Sequence, residues 1–158
     1  MEQLIEKLKE ARDTLAQLSH RPPPPEITFI EERDTIWIQQ SLFNLEPSII
    51  RLPLDGKYRL TNQNNFLNIV AWDWVDSKKY TTDIFDCENF AITFKAHVDW
   101  YFGLNQVGIV IDYEAGHGYN LVVFPDGKVM LLEPQNDNLF VWPNLANMYI
   151  LKNAFVLI

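Results

Sequence analysis

Three side chains in this sequence have the types and spacing for nucleophilic chemistry: Cys87, His117 and Glu133. A thiol attacks as the thiolate, so it needs access, a neighbouring base and a third group that fixes the base. His117, between Gly116 and Gly118, is the candidate base, and Glu133 is its candidate orienting partner. Cys87 is the chain's only cysteine, so it has no intramolecular disulfide partner, and the fold does not depend on an oxidising compartment.

The elements that must position these groups can be read from local pattern. Phe90, Ala91, Phe94, Val98 and Phe102 advance in steps of three and four, with Asp83 or Asp86 as the N-cap and Gly103 as the stop. Cys87 therefore lies in the first turn of a helix, where the macrodipole favours a thiolate. After Gly103 the period changes. Residues 107 to 113 read as a strand, Gly116-His117-Gly118 as a flexible crossing, and residues 120 to 124 with 128 to 133 as a hairpin around Pro125-Asp126-Gly127. Pro125 suits the first corner and Gly127 the left-handed position, so a three-residue loop is predicted, with Phe124 facing Lys128. Counting outward, His117 falls opposite Gln135, and Glu133 is its diagonal neighbour on the same face. A two-residue loop would put the two on opposite faces.

The remaining chain organises around this unit. Leu4, Ile5, Leu8, Ala11, Leu15 and Leu18 predict an amphipathic helix over residues 1–21, which can dock on the core or drive self-association. Pro22 to Pro25 form a stiff spacer over residues 22–25, and residues 26–158 are expected to be one α+β domain. Ile27 to Ile30 and Thr35 to Ile38 read as short strands, Phe66 to Trp74 as a buried helix, and Val141-Trp142 with residues 148 to 158 as further strands. His97 is ten residues beyond Cys87 and too far along the helix to be its base, so it is expected to be solvated or packed.

Length and charge narrow the function classes. The chain has 158 residues, 47% of them hydrophobic, with five Trp and a net charge of -8. That composition fits a packed globular core. The charge and the lack of a basic stripe argue against nucleic-acid partners and anionic membranes, and no apolar run is long enough to span a bilayer. With no secretory leader pattern at residues 1 to 20, a cytoplasmic or host-cell setting is expected. Zinc-type ligand spacing and phosphate-binding glycine series are absent from the sequence.

The runs Asp86-Cys87-Glu88-Asn89-Phe90-Ala91, Gly116-His117-Gly118-Tyr119-Asn120 and Glu133-Pro134-Gln135 resemble the papain-like cysteine peptidases. Over residues 80 to 136 they look most like the protease domain of fungal chimerolectins related to the Marasmius agglutinin, without a counterpart of the sugar-binding repeats. The resemblance implies a papain-like α+β fold, helices first and an antiparallel sheet second, and a Cys87-His117-Glu133 triad that hydrolyses peptide or protein substrates with calcium. Alternatives on the same frame are a transglutaminase-type acyl transferase and a non-catalytic interaction module. In such enzymes a side chain a few residues before the cysteine helps to hold the oxyanion; Tyr80 occupies that stretch, and Gly116 and Gln135 are taken as substrate-site neighbours. Asp86 and Glu88 flank the thiol and would raise its pKa. The chemistry requires no cofactor, though a calcium ion on Asp83, Asp86, Glu88 or Asp112 would reverse that charge.

Overall fold

The computed structural model describes Ile5, Lys7, residues 22–143 and residues 148–158. Ile5 and Lys7 are helical; the rest of the expected helix over residues 1–21 lies outside the described residues. The elements in order are β1 (Glu31–Asp34), α1 (Thr35–Leu45), β2 (Ile50–Leu52), β3 (Lys57–Leu60), α2 (Gln63–Trp72), a 3-10 turn (Val75–Ser77), α3 (Cys87–Phe102), β4 (Val107–Asp112), β5 (His117–Val123), β6 (Val129–Glu133), β7 (Asn138–Phe140) and β8 (Phe155–Leu157). The fold is mixed α+β.

A six-stranded sheet runs β2-β8-β4-β5-β6-β7, and β1 pairs with β3 in a separate ribbon. The sheet departs from the expected purely antiparallel form, because β2 runs parallel to β8. Its central strand, β5, is buried along its whole length, so both of its faces must be covered. Ile38 and Leu42 of α1 pack with Tyr119, Leu121 and Val123 on one side. Phe66 and Ile69 of α2 and Phe90, Phe94 and Val98 of α3 pack with Val122, Phe124 and Leu132 on the other. The alternation of odd and even β5 positions between the two clusters is the period-2 signature of a strand.

Strand expectations at both ends of the domain are corrected. Residues 27 to 30 have no regular structure up to the last of them, and Thr35 to Ile38 open α1 instead of forming a strand. Asp34 accepts the Trp37 N–H at 2.8 Å, and Ile38 and Leu42 then recur at helical spacing. At the other end, strands form at residues 138–140 and 155–157, not at Val141-Trp142 or along all of residues 148 to 158.

Asp137, in the turn after β6, adopts φ +60. Burial first, and then the charges of Asp76 and Asp73, push its carboxyl up to about 6. A raised acid stabilises the fold fully below its ordinary value of 3.8, and that contribution is lost as the pH rises through about 6. Asn tolerates the left-handed backbone and carries no charge. Asp137→Asn is therefore expected to stabilise the protein above pH 6 by about 1 kcal/mol, after allowance for solvent screening, and to add little below pH 3.8. Urea unfolding at both pH values checks this; an equal gain in both would contradict it.

Candidate functional site

The hairpin turn is built as its residues predict. Gly127 takes φ +85, and Phe124 N–H donates to the Lys128 carbonyl at 2.9 Å. Register then follows from Val123 opposite Val129 and Asn120 opposite Leu132, which puts His117 and Glu133 on one face. Their side chains meet: His117 Nε2 lies 2.6 Å from Glu133 Oε2, both buried. An ionised carboxylate only accepts, so Nε2 carries the proton and Nδ1 keeps the lone pair of a base.

Glu133 is itself held from three directions. Its Oε2 also accepts the Tyr149 hydroxyl at 3.0 Å, and its Oε1 accepts the Gln135 N–H at 3.2 Å. Burial by itself would raise this carboxyl; the hydrogen bond and charge of His117, with Gln135 and Tyr149, outweigh it and hold the group below 4.5. Its stabilising contribution is thus present above 4.5 and lost only as the pH falls through the folded value. Tyr149 is fixed in turn, its carbonyl accepting Trp142 Nε1–H at 2.9 Å. Nothing local in the sequence marked Tyr149, which reaches Glu133 from an irregular segment.

Cys87 is the first residue of α3, after Asp86 as N-cap; the Asp86 N–H donates to Asn89 Oδ1 at 3.1 Å. The thiol is half-buried and shares a groove of about 380 Å³ with His117, Gly116, Gly118 and Asp112. What brings α3 against β5 is Gly118: a Cβ there would sit 3.0 Å from the Glu88 backbone N and Cα. Only glycine permits that approach. The sulfur's partners are Glu88 Oε2 at 3.5 Å and the Gly118 N–H. Burial pushes the thiol up, Glu88 pushes it further, and the backbone N–H groups of Gly118 and Glu88 pull against both. The balance is upward, so the resting group is a thiol. Glu88→Gln is expected to lower this pKa and raise the iodoacetamide alkylation rate at neutral pH several-fold, measured as the midpoint of a rate-pH profile. An unmoved midpoint would refute the role given to Glu88.

The other candidates separate. Gly116, at φ +63, lines the groove, whereas Gln135 acts through its N–H on Glu133. Tyr80 stacks on Phe90 at 6.4 Å and is about half exposed. Asp112 is not a free metal ligand. Its carboxylate accepts Tyr119 Oη–H, the Ile150 and Leu151 N–H groups and the Ala115 N–H at 2.9 to 3.1 Å. Asp83 donates its N–H to Asp86 Oδ2 at 3.0 Å. Among the described residues no three His, Cys, Asp or Glu side chains gather to hold a metal ion. No described helix is long and apolar enough to cross a membrane. His97, expected to be solvated or packed, is packed against Trp74 and Tyr101, and its Nδ1 lies 2.8 Å from Asp73 Oδ2.

No family model and no curated protein matches the chain. Solved structures share its fold, among them the following two. One is described as a PSL1a–E64 complex, 23% identical with a TM-score of 0.62, covering 80% of this chain and 51% of that one. The other is Polyporus squamosus lectin bound to the human-type influenza-binding epitope Neu5Aca2-6Galb1-4GlcNAc, 19% identical with a TM-score of 0.61, covering 80% and 49%. The likeness is one of fold. The chain spans about half the length of the solved proteins it matches.

These findings correct the family expectation. No peptidase model matches, and the named solved neighbour is a lectin with a glycan bound. Membership of the papain-like peptidases, peptide hydrolysis and peptide substrates are therefore withdrawn, along with the transferase and interaction-module readings placed on that frame. The short motifs around Cys87 and His117 describe a local constellation, and such a constellation recurs on different proteins with different roles.

Proposed function

We propose that the groove at the start of α3 is a reactive-thiol site, with Cys87 as nucleophile, His117 as its base and Glu133 as the group that orients the imidazole. The observation that carries this reading is the buried 2.6 Å contact between His117 and Glu133, which leaves Nδ1 as the basic nitrogen beside a groove that also holds the thiol. The proton of Sγ passes to Nδ1, and the thiolate adds to an electrophilic carbon. With the epoxide E64, a C–S bond forms, a ring C–O bond breaks, and the oxygen takes its proton from the imidazolium. A fold neighbour is described in complex with E64, which makes it the probe of choice.

The test is incubation of the intact chain with E64 at neutral pH, followed by intact mass and peptide mapping. One adduct on Cys87, formed faster than on a free thiol, and none on Cys87→Ala, is the expected result. A rate no greater than that of free cysteine would overturn the reading.

A second reading, glycan binding, is favoured by the neighbour whose description names it a lectin with a bound trisaccharide. Saturation-transfer NMR with that trisaccharide tests it directly. Signal lost on competition with excess unlabelled glycan supports it, and absence of binding at about 1 mM overturns it.

A further inference from the structure

A second cavity, of about 470 Å³, lies further along α3. Thr93 and His97, which line it, follow Cys87 by six and ten residues, or roughly 9 and 15 Å along the helix axis. Val75 and Phe85 give it apolar walls, and Lys78 and Lys79 bring two cations. The Lys78 ammonium lies 5.4 Å from the Phe85 ring centroid.

The imidazole of His97 is held more firmly than a solvated histidine requires. Its Nδ1 bonds Asp73, whose side chain is 2% exposed and whose Oδ1 accepts the Val75 N–H at 2.8 Å. Its ring stacks on Trp74 at 5.4 Å and 16°, and meets Tyr101 edge-on at 5.8 Å. With Nδ1–H given to Asp73, His97 lines the cavity with its ring and an accepting Nε2. Asp73 is bonded to His97 and the backbone, and Asp76 and Asp137 are the further carboxylates beside it that oppose an anion, against two lysines on the cavity wall.

We propose that this cavity binds a small anionic ligand with an apolar body, a carboxylate or phosphate monoester. The charged head sits between Lys78 and Lys79, and the body packs on Val75 and Phe85 beside the His97 ring. Such a head gains charge-assisted hydrogen bonds from both lysines, and the apolar wall distinguishes the ligand from a free ion. The site does not depend on the thiol reading.

Imidazole NMR of the full chain tests it, because three histidines are few enough to assign with His97→Gln. Benzoate, phenyl phosphate and neutral benzamide are the probes. Saturable shifts at His97 with either anion, at least about tenfold tighter than with benzamide and weakened about tenfold by joint Lys78→Ala and Lys79→Ala changes, are expected. Benzoate and phenyl phosphate, compared, tell which head group is preferred. Inorganic phosphate binding as tightly as phenyl phosphate, benzamide matching benzoate, or no saturation by about 10 mM would each overturn the proposal. Cys87→Ala should leave the shifts unchanged.

Discussion

His117→Ala is expected to slow the reaction of Cys87 with E64 by about two orders of magnitude at neutral pH. The reason lies in the resting state of the thiol. Burial and Glu88 hold Cys87 protonated, so the helix N-terminus alone does not deliver a thiolate and the proton must go to a base. Glu133→Gln should cost at least about tenfold, because the amide can present its NH₂ to Nε2, favour the other tautomer and leave Nδ1 protonated. Tyr149→Phe should have a smaller effect, since Glu133 keeps His117 and the Gln135 N–H as partners. The ordering His117, Glu133, Tyr149 is the informative result. Rates for all three variants, read beside their urea midpoints, separate loss of chemistry from loss of fold. If His117→Ala reacts as fast as the parent, the imidazole is not the base and the site is a half-buried cysteine beside a structural ion pair.

Parts of this site were legible because they are local. Pro125-Asp126-Gly127 specifies its own turn, and the turn sets a register that carries His117 to the face of Glu133 seven or more residues away. Asp86 and Gly103 bracket α3 with their own cap chemistry, which fixes Cys87 at its start. Thr35 to Ile38 misled because β-branched residues in a short window suit a strand, while the deciding signals, the Asp34 cap and the Ile38-Leu42 spacing, lie outside that window. The short strands at residues 138–140 and 155–157 exist through pairing with β6, β2 and β4, which a window of sequence cannot contain. Tyr149, Gly118 and Asp112 belong to the same class: each matters through a partner brought near by the sheet. The family expectation failed for a related reason. Three short motifs fix a thiol, an imidazole and a carboxylate, and such a set does not specify the protein around it.

Asp112→Ala is expected to be the most destabilising single change, costing about 3 to 5 kcal/mol of a total of about 5 to 15. The side chain is 1% exposed and accepts four donors from three places: the turn after β4, Tyr119 on β5, and the backbone of residues 150 and 151. Removing it strands those donors in a site too enclosed for water to serve all of them. Tyr119 shows the dependence from the other end, since burial and then the Asp112 carboxylate push its phenol up and keep it a donor. Asp112→Asn keeps the shape but turns an NH₂ toward N–H groups, so an intermediate loss is expected. The residues that Asp112 anchors adjoin Tyr149, which bonds Glu133, so the alkylation rate of Cys87 should fall with stability in these variants. Urea unfolding with an unchanged m-value measures the first effect and E64 labelling in folded conditions the second. A loss under about 1 kcal/mol for Asp112→Ala would mean that water replaces the carboxylate at little cost. The loop carrying Tyr149 would then be held by Trp142 and packing, and the coupling between this buried acid and the thiol site would disappear with it.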